Sequence, residues 1–230
     1  MSDIELTAPD GHVLTAHLST PDGPPRGGVV VIQEIFGVNE HIRAVTDAFA
    51  AAGYLAVAPA LFDRSRRGVE LGYDAEGLEV GRGIAWELPL DEPLSDIQAA
   101  AAYLAEALEG PASVATVGFC WGGMLSAAAA SRTPQSIAAA VGYYPSMAAQ
   151  LLVTDQPHVP LLVHLGDLDP RITVEDGQTL AERWPTATFH RYDAGHGFNC
   201  NLRPDYSPKA STLAWARTLA FLNEHLTGGD

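Results

Sequence analysis

The sequence predicts a three-layer α/β sandwich whose sheet is mostly parallel, with an N-terminal antiparallel hairpin. Short apolar runs rich in Val and Ile alternate with longer runs of helical period, and Gly or Pro punctuates most of the joints. Several of the short runs are apolar on both faces, as strands covered by helices on both sides must be. With 230 residues and 47% hydrophobic content, one large core suffices, and a single domain spanning residues 1–230 is expected.

Residues 4–7 and 12–18 flank the turn Pro9-Asp10-Gly11 and read as the hairpin. The run Gly28-Val29-Val30-Val31-Ile32 is a fully covered strand. A helix over 39–52, with Ile42, Val45 and Phe49 on one stripe, stops at Gly53, and the strand at 54–58 ends at Pro59. Residues 61–93 carry Gly68, Gly72, Gly77, Gly81 and Gly83 among charged residues and read as a long excursion with a short helix. Ile97, Ala101, Leu104 and Leu108 then recur at helical spacing. Strands follow at 113–117, 137–143, 160–165 and 187–192, with helices at 124–130 and 174–184. Ser207 caps the last helix and Pro208 fits its first position, while Trp215, Leu219, Leu222 and Leu226 line one face.

A formal net charge of -15, from 28 acidic and 13 basic residues, leaves no basic stripe for nucleic acid or anionic lipid. No apolar run reaches the ~20 residues that span a bilayer, and the N-terminal residues lack the pattern of a signal peptide, so a cytoplasmic location is expected. The two cysteines, Cys120 and Cys200, form neither a disulfide framework nor the paired spacing of a zinc site.

Cys120 stands in Gly118-Phe119-Cys120-Trp121-Gly122, between a strand and a helix. Gly-x-nucleophile-x-Gly on such a corner lifts the nucleophile out of the fold, because glycines on either side let strand and helix close in. The helix N-terminus favours thiolate over thiol, and the Trp121 amide points toward the same place. A nucleophile of this kind needs a base, and the base needs an orienting acid. Both follow in order. Gly166-Asp167-Leu168-Asp169-Pro170 comes just after one strand, and Asp193-Ala194-Gly195-His196-Gly197-Phe198 just after another. Of the two carboxylates Asp169 has more reach than Asp167. Among the other histidines, His12, His17 and His225 are expected to be solvated and His164 to be a satisfied core residue. Glu34 ends an apolar strand, where a carboxylate needs a polar partner, and a thiol proton is one such partner.

At these positions the chain resembles the dienelactone hydrolase family of α/β-hydrolases, whose elbow carries Cys in place of Ser. The likeness runs through Val31-Ile32-Gln33-Glu34-Ile35-Phe36-Gly37, the elbow itself, Gly142-Tyr143-Tyr144, the turn from Gly166 to Asp169, and Gly195-His196-Gly197-Phe198. It implies Cys120 as nucleophile, Asp169 as orienting acid, His196 as base, Glu34 as the group that holds and then activates the thiol, and the amides of Ile35 and Trp121 as the oxyanion hole. It also implies hydrolysis of a small-molecule ester or lactone through a thioester acyl-enzyme, with no cofactor and no metal, in a monomer or small homo-oligomer. A general carboxylesterase or thioesterase, or a non-catalytic binding relative, remains an alternative on the same scaffold. Phe36, Arg82, Trp86, Tyr143, Tyr144, Phe198 and Cys200 are the candidate pocket residues. Where the family places a substrate-clamping arginine, four residues beyond the histidine, this chain has Cys200, which cannot form a bidentate ion pair.

Overall fold

The computed structural model describes residues 2–108 and 114–226. One eight-stranded sheet, in the order β1-β2-β4-β3-β5-β6-β7-β8, runs through the molecule. The strands are β1 Ser2–Thr7, β2 Val13–Ser19, β3 Gly28–Ile32, β4 Leu55–Pro59, β5 Val114–Phe119, β6 Ala139–Tyr143, β7 Leu161–Gly166 and β8 Thr188–Tyr192. The first two pair antiparallel with each other, β2 pairs antiparallel with β4, and every later pairing is parallel. All side chains of β3 to β7 are buried, whereas β8, at the sheet edge, is mostly half-buried or exposed. The β5 expectation began at residue 113, which lies outside the described residues.

Among the described residues there are seven α-helices: α1 Glu40–Ala51, α2 Ala75–Glu87, α3 Asp91–Ala107, α4 Trp121–Arg132, α5 Ala148–Leu151, α6 Val174–Arg183 and α7 Pro208–Leu226. Asn39 caps α1 by accepting from the Ile42 amide at 3.3 Å, and Thr173 caps α6 through a reciprocal box with Asp176. Among the described residues no helix is long and apolar enough to cross a membrane.

The segment from Leu61 to Pro93 is more ordered than its glycines suggest. It holds a 3-10 turn at Leu61–Arg64 and the thirteen-residue helix α2, capped by Asp74, which accepts from the Gly77 amide at 2.8 Å. Gly81 serves contact here: a Cβ at this position would lie 1.7 Å from the carbonyl oxygen of Ile35. A residue type that weakens isolated helices therefore lets this one press its backbone onto the loop after β3. Arg64 anchors the start of the segment with a bidentate pair to the buried Asp96 of α3, at 2.7 and 2.8 Å.

Three histidines expected in solvent are more enclosed than that. His17 is buried, with Nε2 3.0 Å from Asp47, because β2 turns this residue toward α1. His12 and His225 are half-buried, the latter against the ring of Phe221. His164 sits in the core between the hydroxyls of Tyr192 (2.8 Å) and Thr218 (3.0 Å), and burial pushes its pKa down to about 3, so it stays neutral.

At the corner between β5 and α4, a Cβ on Gly118 would stand 1.9 Å from the Gly122 carbonyl oxygen. Because the obstacle is backbone, Gly118→Ala is expected to destabilise the protein by roughly 3 kcal/mol or more. Gly83→Ala, whose Cβ meets nothing within 4 Å, provides the control and should leave the urea midpoint unchanged or slightly raised. Equal midpoints for the two variants would contradict this reading of the corner.

Candidate active site

Four strand ends meet on one edge of the sheet. Glu34 and Ile35 follow β3, Cys120 follows β5, Asp169 follows β7 and His196 follows β8, all at carboxyl ends. Cys120 has φ 57° and ψ -114°, a conformation that non-glycine residues rarely adopt. It is held there from both sides. Its amide donates to the Tyr143 carbonyl at 3.0 Å, and its own carbonyl accepts from the amides of Gly123 (3.0 Å) and Ser146 (3.1 Å). Trp121 opens α4, so its amide has no intrahelical acceptor.

The thiol lies 3.2 Å from Nε2 of His196 and 3.3 Å from the Ser146 hydroxyl. On the far side of the ring, Nδ1 of His196 is 2.7 Å from Oδ2 of Asp169. The other oxygen of Asp169 accepts from the amides of Arg171 (2.7 Å) and Ile172 (3.1 Å), which fixes the carboxylate toward the imidazole. Asp167 points elsewhere, to the Arg191 guanidinium at 2.6 Å. The edge of the Tyr144 ring packs on His196 with centroids 5.1 Å apart.

Electrostatics favour an ion pair at the centre of this row. Burial opposes the thiolate, but the charge and hydrogen bond of His196, aided by Ser146, outweigh it and hold the Cys120 thiol below its ordinary value. Burial likewise opposes the imidazolium, and the charge on Cys120 together with the Asp169 hydrogen bond raises His196 above its ordinary value. Between the two titrations the site holds thiolate and imidazolium.

Glu34 is fully buried and does not rest on the thiol. Its oxygens accept from the Tyr73 hydroxyl at 2.8 Å and from Nη1 of Arg203 at 3.1 Å. The carboxylate expected to hold the Cys120 proton is therefore paired with a cation seven residues beyond His196, a position hidden from sequence reading because Arg203 lies in a loop with no regular spacing. His41 and Cys200 adjoin the same carboxylate: one ligating atom from each of Glu34, His41 and Cys200 lies within 4.8 Å of the others, the one such group among the described residues. Arg203 already supplies the cation that a buried carboxylate there requires. Burial pushes the Cys200 thiol up to about 11, and the Glu34 charge pushes it the same way.

A cavity of about 320 Å³ opens over the sulfur, lined by Ile35, Cys120, Trp121, Ser146 and Met147, with Arg82, Trp86 and Arg171 also on its walls.

A family model described as the dienelactone hydrolase family matches residues 14–226. The chain belongs to the dienelactone hydrolase family. It is 36% identical over 203 residues to a provisionally assigned carboxymethylenebutenolidase of Synechocystis sp., covering 82% of each chain. To the carboxymethylenebutenolidase of Pseudomonas sp. strain P51 it is 32% identical over 225 residues, covering 95% of this chain and 93% of the other. The crystal structure of a provisionally assigned dienelactone hydrolase from Klebsiella pneumoniae superposes with a TM-score of 0.82 at 27% identity, covering 96% of this chain and 99% of that one.

The expected pocket residues divide in two. Arg82 and Trp86 line the cavity. Phe36, Tyr143, Tyr144, Phe198 and Cys200 do not, because their side chains are buried in the layer beneath it. Phe36 stacks on Tyr73, Tyr143 bonds to Thr218, and Phe198 packs among Tyr143, Tyr144 and Tyr192. Ser146 and Arg171 line the cavity without having been legible beforehand. Ser146 carries no motif, and Arg171 reads as a turn residue after Pro170.

Two outcomes follow from this geometry. Iodoacetamide alkylation of Cys120 should reach half its limiting rate at a pH below the ~8.5 of an ordinary thiol, and His196→Gln should move the midpoint upward. Peptide mapping across a pH series checks both, and an ordinary midpoint in the unaltered protein would contradict the ion pair. Arg203→Met strands the buried Glu34 charge and should cost about 3–5 kcal/mol in urea unfolding, most of it recovered in Arg203→Met/Glu34→Gln.

Proposed function

We propose that the protein hydrolyses small-molecule carboxylic esters or lactones through Cys120, His196 and Asp169, by way of a thioester acyl-enzyme. The observation that carries this reading is the row formed by the Cys120 thiol, His196 and Asp169 at 3.2 and 2.7 Å, opening into a cavity.

The thiolate attacks the bound carbonyl carbon, and negative charge gathers on the carbonyl oxygen. In this reading the amides of Ile35 and Trp121 accept that charge, each worth roughly 3 kcal/mol on the scale of single-donor removal. His196, already protonated, gives its proton to the departing alkoxide or enolate as the tetrahedral intermediate collapses to the thioester. The neutral imidazole then takes a proton from water, hydroxide adds to the thioester, and the acid leaves as the thiolate and imidazolium are restored. Asp169 keeps the ring in the orientation that serves both steps. No metal or organic group takes part.

Glu34 acts on this cycle through its charge. Held by Arg203 and Tyr73, it places a negative charge near Cys120 that disfavours the thiolate, while His196 favours it. Arg82 and Arg171 pair with no carboxylate among the described residues, and both face the cavity. This favours substrates bearing an acid group, in keeping with the names of the carboxymethylenebutenolidase relatives.

Cys120→Ala is expected to reduce kcat for a phenyl ester or an unsaturated lactone by at least about 10³-fold. Asp169→Asn is expected to reduce it by roughly 10²- to 10⁴-fold with little change in KM. Steady-state kinetics of the purified variants provide the check, and Cys120→Ala with undiminished turnover would end the proposal.

A further inference from the structure

A second cavity of about 240 Å³ adjoins the one over Cys120. It lies where α2, the start of α3 and α4 come together, and Leu88, Leu90, Pro93, Met124 and Leu151 bound it. Ala85, Trp86 and Trp121 line both cavities, so the two adjoin along these three residues. No charged side chain lines the second one. At its mouth Trp86 and Leu151 remain 56% and 44% exposed, two large apolar surfaces on one opening.

Exposed apolar residues scattered singly carry no meaning, but a concave apolar surface that shares three lining residues with the cavity over a thiol does. Among the described residues Trp86 and Leu151 are both exposed large hydrophobic side chains. A chamber of this lining holds water poorly, since water there meets few polar partners.

We propose that this chamber is a subsite for an apolar arm, alkyl or aryl, of the ester whose carbonyl lies over Cys120. The subsite rests on the ester-hydrolase reading above and narrows it. The preferred substrates carry an unbranched hydrocarbon chain or a ring on one side of the scissile bond. Each methylene of the arm that enters the chamber raises kcat/KM by roughly fourfold until the chamber is full. Arg82 and Arg171 stay free to meet an acidic group on the other side.

The test compares kcat/KM for two ester series with the purified protein: p-nitrophenyl acetate, butyrate and hexanoate, which lengthen the acyl side, and phenyl, propylphenyl and hexylphenyl acetates, which lengthen the alcohol side. At least one series should rise tenfold or more from its first member to its last. Leu90→Trp, which fills the chamber, and Leu151→Asp, which places a charge at its mouth, should each remove most of that rise. Both should leave the shortest ester of the series within about twofold of the unaltered protein. Leu151 is exposed, so its variant keeps the test open if Leu90→Trp fails to fold. A flat or falling profile in both series would overturn the subsite, as would variants that slow short and long esters alike. Absence of turnover for every ester would instead sink the ester-hydrolase reading, and the subsite with it.

Discussion

The site is built around a backbone that cannot relax. At Cys120 the chain leaves β5 and enters α4 with a positive φ, and no side chain is present at Gly118 to hold the two apart. Two backbone hydrogen bonds, one to the β6 end and one to the following loop, and a third from Gly123 of α4 keep the corner in that state. The strain of such a residue costs on the order of 1–3 kcal/mol and persists because the surrounding sheet over-determines it. What results is a sulfur fixed at the sheet edge, above the start of a helix and within hydrogen-bond reach of His196. The positions of Asp169, Ser146 and the cavity have meaning only relative to that sulfur.

Beneath this edge a buried carboxylate is balanced without being exposed. Glu34 lies two residues beyond β3, fully buried, and Arg203 and Tyr73 each satisfy one of its oxygens. Burial disfavours the Arg203 charge most, and Glu34 together with Tyr144, Cys120 and Cys200 outweighs it, so that the guanidinium is held above its ordinary value. The pair fastens the loop carrying Arg203, just beyond His196, onto the loop carrying Ile35. Gly81 brings α2 onto the Ile35 carbonyl from the other side. The segment that frames the cavity and the segment that bears the imidazole are thereby tied to one short stretch of chain after β3.

Much of this was legible in the sequence because it is local. The elbow is five consecutive residues, and its glycines sit where strand and helix must nearly touch. The chain order of Cys120, Asp169 and His196 follows from the alternation of strands and helices, which brings the loops after parallel strands to one edge. Other features depend on contacts between distant segments. Nothing near Arg203 says that it will reach Glu34, and Glu34 by itself admits a thiol, a cation or water as partner. The glycines of α2 mimic a loop because a breaker and a close-contact residue look the same in one dimension. Tyr143, Tyr144 and Phe198 lie beside the motifs but are buried, Tyr143 against Thr218 of α7 and Tyr144 against Phe198, contacts between distant segments that the motifs do not announce. His17 is hidden in the sequence for a like reason: which face of a hairpin turns inward depends on what packs against it.

The central claim is that the Cys120 sulfur forms a covalent bond to the acyl group of the substrate. Mixing the protein with a slowly hydrolysed ester, quenching in acid within the first turnover and mapping the peptides by mass spectrometry tests this directly. The account predicts an acyl mass increment on the peptide that contains Cys120, decaying as product forms. A quenched protein free of any adduct while product accumulates, or an adduct confined to Cys200, would contradict it.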